Sequence, residues 1–304
     1  MKRLLAALVF IGLIGGAVFW FLTAPQRLDE SVLASVEGHQ PDLVNGETLF
    51  WAGGCASCHA APEASGEDKK LLSGGLVLAT DFGDFAVPNI SPSNEHGLGD
   101  WSFEDFANAM KQGVSPKGRH YYPAFPYASY THMSEVDLAD LFAFLKQLPI
   151  SDEPDKASDI AFPFNVRRGL GLWKKLYLND APVISDAALG DDEQLLRGRY
   201  LVEGPGHCGE CHTPRSLAGG MKRGEWLEGA PSPEGDGRIP GITNGPDDLE
   251  SWSATDIAYL LETGFTPDFD SVGSSMADVT ASYAFVPAED RDAIAAYLKH
   301  IQPE

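Results

Sequence analysis

The stretch WAGGCASCHAAP at residues 51–62 sets two cysteines two residues apart and puts a histidine directly after the second; GPGHCGECHTPR at residues 204–215 does so again. Together the two C-x-x-C-H units use all four cysteines of the chain, Cys55, Cys58, Cys208 and Cys211. A disulfide framework or a redox-active C-x-x-C pair would explain the thiols but not the histidines that follow them. Structural zinc takes both residue types. Each unit brings three ligands at most, however, and adjacent Cys and His side chains fit a tetrahedron awkwardly.

Covalent haem c needs all three groups. The thiols add across the two porphyrin vinyl groups as thioethers, and the histidine one residue on lies under the ring as the proximal base to iron. Two such units, with no cysteine left over, predict two covalently attached haem c groups. Cys55, Cys58 and His59 would hold one, and Cys208, Cys211 and His212 the other.

The N-terminus constrains location. After Met1-Lys2-Arg3 come nineteen residues without a charge, LLAALVFIGLIGGAVFWFL. As a helix they would span roughly 28 Å, close to the hydrocarbon thickness of a bilayer. The run is longer than the apolar region of a signal peptide, and Leu22-Thr23-Ala24 is a poor cleavage site. Phe19, Trp20 and Phe21 would sit at the far interface. The expectation is a retained single-pass anchor in the bacterial inner membrane. Lys2 and Arg3 stay cytoplasmic, and the remainder lies in the periplasm. The chain carries a net charge of −22. Nucleic acid and anionic surfaces are therefore excluded as partners of the exported part, and a basic redox partner would be steered towards it.

The cysteine motif repeats together with its surroundings. Upstream, PDLVNGETLFWAGG corresponds to EQLLRGRYLVEGPGH. Downstream, VPNIS (87–91) matches IPGIT (239–243), WSFEDFANAMKQG matches WSATDIAYLLETG, and DLADLFAFLKQLP matches DRDAIAAYLKHIQP. Cys55 to Cys208 and Leu145 to Leu298 are both 153 residues apart. Leu138, Leu141, Phe142 and Leu145 recur at helical spacing, as do Ile294, Tyr297, Leu298 and Ile301. Ser102 and Ser253 read as N-caps, with Asp105 and Asp256 three residues on. Gly46 and Gly198 would let the first helix of each unit approach the last. The expected division is anchor 1–24, tether 25–40, first domain 41–150, connector 151–190 and second domain 191–304.

These stretches, with GGCASCH, PNISP, GDWSFEDF, YYPAFPY, RGRYLVEGPGHCGECHTPR and SMADV, resemble class I cytochrome c domains. Residues 41–303 as a whole are similar to the dihaem cytochromes c related to the cytochrome subunit of bacterial membrane-bound alcohol dehydrogenases. The resemblance implies an all-α fold of two tandem class I cytochrome c domains behind one transmembrane helix, each holding haem in a crevice between helices. It also implies a methionine on the far face of each haem. Met276, in a loop ahead of the final helix, fits the second. For the first, the 153-residue offset from Met276 lands on Pro123 within YYPAFPY, where related sequences often carry methionine and this chain has Phe125. Met133 is the expected ligand there, with His120, His132 or an open position as alternatives. Met110 and Met221 read as packing residues.

The connector carries Arg167, Arg168, Lys174 and Lys175 among apolar residues. It reads as a strap whose cations balance carboxylates or propionates, or as a face for a membrane partner or lipid headgroups. Residues 228–237 read as an exposed loop. No carboxylate pair, activated serine or phosphate-binding glycine loop stands out. The function expected is that of an electron carrier rather than an enzyme. It would pass electrons from a dehydrogenase or quinol-oxidising complex to a downstream soluble cytochrome or terminal oxidase of a respiratory chain. The alternatives are an electron-transfer subunit within a dehydrogenase complex and a dihaem peroxidase.

Overall fold

The computed structural model describes residues 1–232, 237–246 and 248–302. Helix α1 (Lys2–Leu22) buries none of its residues and is long and apolar enough to cross a membrane. A short helix, α2 (Glu30–Ala34), follows in the tether. The first half then runs α3 (Leu43–Ala52), α4 (Cys55–His59), strands β1 (Val77–Thr80) and β2 (Gly83–Ala86), α5 (Phe103–Gln112), α6 (Tyr127–Tyr130) and α7 (Glu135–Leu145). The connector contributes β3 (Asp159–Ile160), α8 (Leu170–Tyr177) and α9 (Asp186–Leu189). The second half repeats the order: α10 (Glu193–Glu203), α11 (Gly209–His212), β4 (Ala230–Pro231), β5 (Arg238–Ile239), α12 (Ala254–Thr263), α13 (Ser275–Tyr283) and α14 (Ala288–His300).

Each half is built on a crossing of its first and last helices. A Cβ on Gly46 would stand 2.3 Å from the Asp140 carbonyl oxygen, and one on Gly198 would stand 2.0 Å from that of Ala293. Only glycine lets α3 meet α7, and α10 meet α14, at that distance. Around the crossings Leu49, Phe50, Leu138 and Leu141 are buried in one half, and Leu201, Val202, Ile294 and Tyr297 in the other. Polar pairs repeat as well. Asn45 donates to Asp137 at 2.6 Å and Asp140 at 2.8 Å, while Arg197 grips Asp290 with two bonds at 2.7 and 2.8 Å. Helices α5 and α12 each open with a capping box, Ser102 with Asp105 and Ser253 with Asp256, and each ends at a glycine of positive φ. That is the start and stop chemistry their sequences specify.

The structure departs from an all-α expectation in two small antiparallel sheets, β1-β2-β3 and β4-β5. The loop read over 228–237 includes the second pairing, Ala230 with Ile239 and Pro231 with Arg238; residues 233–236 lie outside the described residues. Strand β3 ties the connector to the first half.

The connector's cations seek carbonyls and rings rather than carboxylates. Arg167 lies 4.5 Å from the Tyr122 ring and donates to the His120 carbonyl. Lys174 donates to the carbonyls of Gln112 and Gly113 at the end of α5. Arg168 covers the Trp20 ring at 4.0 Å and donates to the Thr23 hydroxyl. The tether, expected as a plain linker, lies along the first half: Leu28 N–H donates to Asn108, and Arg27 donates to the Pro116 carbonyl.

Candidate functional site: two haem-attachment segments

Both C-x-x-C-H units fold as a single helical turn behind a tight bend. The backbone turns at Gly54 with φ 62° before Cys55. In the second half Gly209 lies so close under Trp226 that a Cβ there would meet the indole at 2.2 Å. The turn brings each thiol pair and its histidine onto one short element.

Each imidazole is oriented by the same device. His59 Nδ1–H donates to the Pro88 carbonyl at 2.8 Å, and His212 Nδ1–H donates to the Pro240 carbonyl, also at 2.8 Å. A carbonyl can only accept, so Nδ1 carries the proton and Nε2 keeps the lone pair that a metal requires. Burial pushes His59 down to about 4 and lowers His212 too, with the prolyl carbonyls opposing weakly. Both rings are thus neutral at pH 7. Sequence reading matched VPNIS with IPGIT but assigned those prolines no role; the repeated proline was the signal.

Burial likewise pushes the Cys55 and Cys208 thiols up to about 12, each raised further by its neighbouring cysteine. Cys58 is raised by burial and then by Cys211 of the other unit. Specific contacts cross between the halves beside the two attachment segments. Trp51 stacks on Phe285 at 4.4 Å, and Tyr130 meets the His207 ring edge-on at 5.6 Å. Ser57 and Ser282 share a hydrogen bond, and Ser129 donates to Glu210.

Among the described residues no group of three or more His, Cys, Asp or Glu side chains is arranged to hold a metal ion directly. The zinc alternative therefore loses its geometry, whereas haem, which brings four nitrogen donors of its own, asks the protein only for axial ligands and thiols. The donors present fit that group: two thiols and a neutral imidazole per unit, the imidazole already oriented.

The expected far-side ligands fall differently. Met276 lies in the first turn of α13, not in a loop, and is half-buried. Met133 sits directly before Ser134, the N-cap of α7, and is 1% exposed within the core. His120 is occupied elsewhere: its Nε2–H donates to the Thr23 carbonyl at the end of α1. His132 lines a cavity between the halves with Met221, Arg223 and Trp226. Met110 is buried in α5.

Comparison with known proteins follows the same lines. The cytochrome c family model matches residues 43–149. A protein of Cereibacter sphaeroides described as "diheme cytochrome c-type" is 52% identical over 301 residues, covering 99% of both chains. The fructose dehydrogenase cytochrome subunit of Gluconobacter japonicus is 34% identical over 86% of this chain and 53% of its own length. The gluconate 2-dehydrogenase cytochrome c subunit of Pantoea cypripedii is 34% identical over 90% of this chain and 63% of its own. The chain thus spans the whole of the first relative and little more than half of the two dehydrogenase subunits. It belongs to the dihaem c-type cytochromes, electron carriers with two covalently attached haem c groups.

Proposed function

We propose that this protein is a membrane-tethered carrier of two tandem class I cytochrome c domains, residues 41–150 and 191–304. It would accept electrons from a periplasmic dehydrogenase or quinol-oxidising complex and deliver them to a soluble cytochrome or terminal oxidase. The observation that carries this reading is the pair of attachment turns, each with its histidine held at Nδ1 by a prolyl carbonyl and each hydrogen-bonded to the opposite half, through Ser57 and through Glu210. Cys55 and Cys58 would anchor one porphyrin with His59 as proximal ligand. Cys208 and Cys211 would anchor the other with His212 proximal and Met276 on the far face. When bound, the haem irons supply one-electron redox chemistry, and the protein tunes their potential through axial ligands and burial. The chain's own work is to orient both imidazoles, exclude water with the two crossing-helix cores, and hold the two sites at a fixed separation.

Retention of α1 in the inner membrane is supported by how its end is built in. Thr23 is fully buried, its carbonyl taken by His120 and its hydroxyl by Arg168. Such contacts serve a helix that stays. The dehydrogenase-subunit relatives support a second reading, in which the chain works as the cytochrome subunit inside such a complex.

Stopped-flow oxidation of the reduced, detergent-solubilised protein by a basic soluble cytochrome tests the carrier reading. Both haem equivalents should oxidise, at a rate that falls steeply with salt because the chain carries a charge of −22. A salt-independent or negligible rate counts against it. Mild solubilisation that yields a stoichiometric dehydrogenase polypeptide favours the subunit instead.

A further inference from the structure

The two halves align through the N-caps of their last helices, and that register decides what faces the first haem. Ser134 and Pro287 are the N-caps of α7 and α14. Four residues ahead of each stands a tyrosine. Tyr130 donates its hydroxyl to the Gly53 carbonyl at 2.7 Å, and the Tyr283 hydroxyl lies against Gly206. On this register Met133 corresponds to Val286, not to Met276, and the two are core residues at 1% and 2% exposure. Met276 stands eleven residues ahead of its N-cap; the same place in the first half is Pro123.

The tract around Pro123, residues 121–126, has neither sulfur nor imidazole. Its centre is Phe125, whose ring lies 5.7 Å from those of Tyr121 and Tyr130 and 6.3 Å from that of Tyr127. Tyr122 spends its hydroxyl on the Phe164 carbonyl. His120 and His132 point to α1 and to the interdomain cavity, as described above.

We propose that the first haem iron takes no protein ligand opposite His59. On the register with Met276 that position falls to the tract of Phe125 and its neighbouring tyrosine rings, and it is then a binding site for a small neutral diatomic such as carbon monoxide or nitric oxide, while the second haem is closed by Met276. An aromatic wall favours an uncharged ligand, since an anion would lose its hydration there without a compensating partner. Binding is a dative bond from the ligand's lone pair to ferrous iron, with back-donation; no bond breaks and no electron is transferred. The inference rests on the dihaem reading above.

Carbon monoxide titration of the dithionite-reduced full-length protein in detergent tests it, with haem counted on the same sample as pyridine haemochrome. The expected result is one carbon monoxide per two haems. Phe125→Met should abolish that binding and roughly double the sulfur-to-iron charge-transfer band of the oxidised protein. Met133→Leu should leave both readouts as in wild type. Two haems with no carbon monoxide bound, or a Met133→Leu variant that loses a charge-transfer band or gains a binding site, overturns the proposal. A high-spin ferric resonance from one haem in the wild type supports it even if Phe125→Met fails to fold, and two low-spin resonances overturn it. A count below two haems instead overturns the parent reading.

Discussion

Asp140 shows how single side chains hold the first half together. It is 2% exposed and accepts three bonds: from His39 Nε2 at 2.6 Å, from the Asp42 backbone N–H at 2.9 Å and from Asn45 at 2.8 Å. Burial alone would raise its pKa. The bonds from Asn45, His39 and Asp42 outweigh that and hold the carboxyl below its ordinary 3.8. A depressed carboxylate contributes stability that is present above the unfolded value and lost as pH falls through the folded one. Asp140→Asn should therefore cost about 2 kcal/mol at pH 7, and the gap to wild type should narrow below about pH 4. Urea unfolding of both proteins at pH 7 and pH 3 reads this directly; an unchanged gap would mean the carboxylate's charge is irrelevant. Residue chemistry of this kind was legible where it resides in side chains. The cysteines and histidines announced themselves by type and spacing. The carbonyls of Pro88 and Pro240 did so only through the repeated proline, because a backbone acceptor has no side chain of its own to mark it.

At the scale of elements, helix ends and crossings came through the sequence while the sheets did not. Ser102 and Ser253 bond the N–H of Asp105 and Asp256, the local pattern that a three-residue spacing encodes. Strand β3 pairs with β2 from across the whole of α5, α6 and α7, so nothing within either segment signals it. Gly83 marks the place: its φ is 124°, and a Cβ would meet the Asp159 carbonyl at 2.3 Å. The glycines at the two helix crossings make a sharper prediction. In isolation Gly→Ala would favour a helix by about 1 kcal/mol. Here the added methyl would collide with an immovable carbonyl of the facing helix, so Gly46→Ala and Gly198→Ala should each destabilise by about 3 kcal/mol. Thermal melts decide the sign. A stabilised variant would mean the helices do not cross as closely as they do here. Ser253→Ala should cost about 1 kcal/mol, as loss of an N-cap does.

Across the whole molecule, the halves, the connector and the anchor are joined by contacts that no single repeat contains. Glu203, buried near the end of α10, accepts from the Val183 and Ile184 N–H groups of the connector and from the Tyr297 hydroxyl of α14. Tyr200 donates to Asp137 of the first half. The middle of the connector clasps the end of α1: Gly171 lies so near Thr23 that a Cβ would stand 2.6 Å from its Cα. A carrier on a loose tether could turn both sites towards successive partners; one clasped at the end of α1 holds both sites in a fixed orientation to that helix. The clasp depends on Arg168, which donates to the Thr23 hydroxyl and to the Trp20 carbonyl while covering the Trp20 ring. Removing those bonds in Arg168→Ala should cost about 1.4 kcal/mol of local closure, or roughly tenfold in the population that opens the tether. Arg27, immediately beyond, is then the gauge, since its side chain is held by the Pro116 carbonyl while the clasp is shut. Trypsin should separate α1 from the haem-bearing part of the detergent-solubilised protein roughly tenfold faster in Arg168→Ala than in wild type, because cleavage follows the open population when reclosing is fast. Equal release rates would show that the tether moves freely even with the arginine in place, and that the orientation of the two haem sites is set by their partners instead.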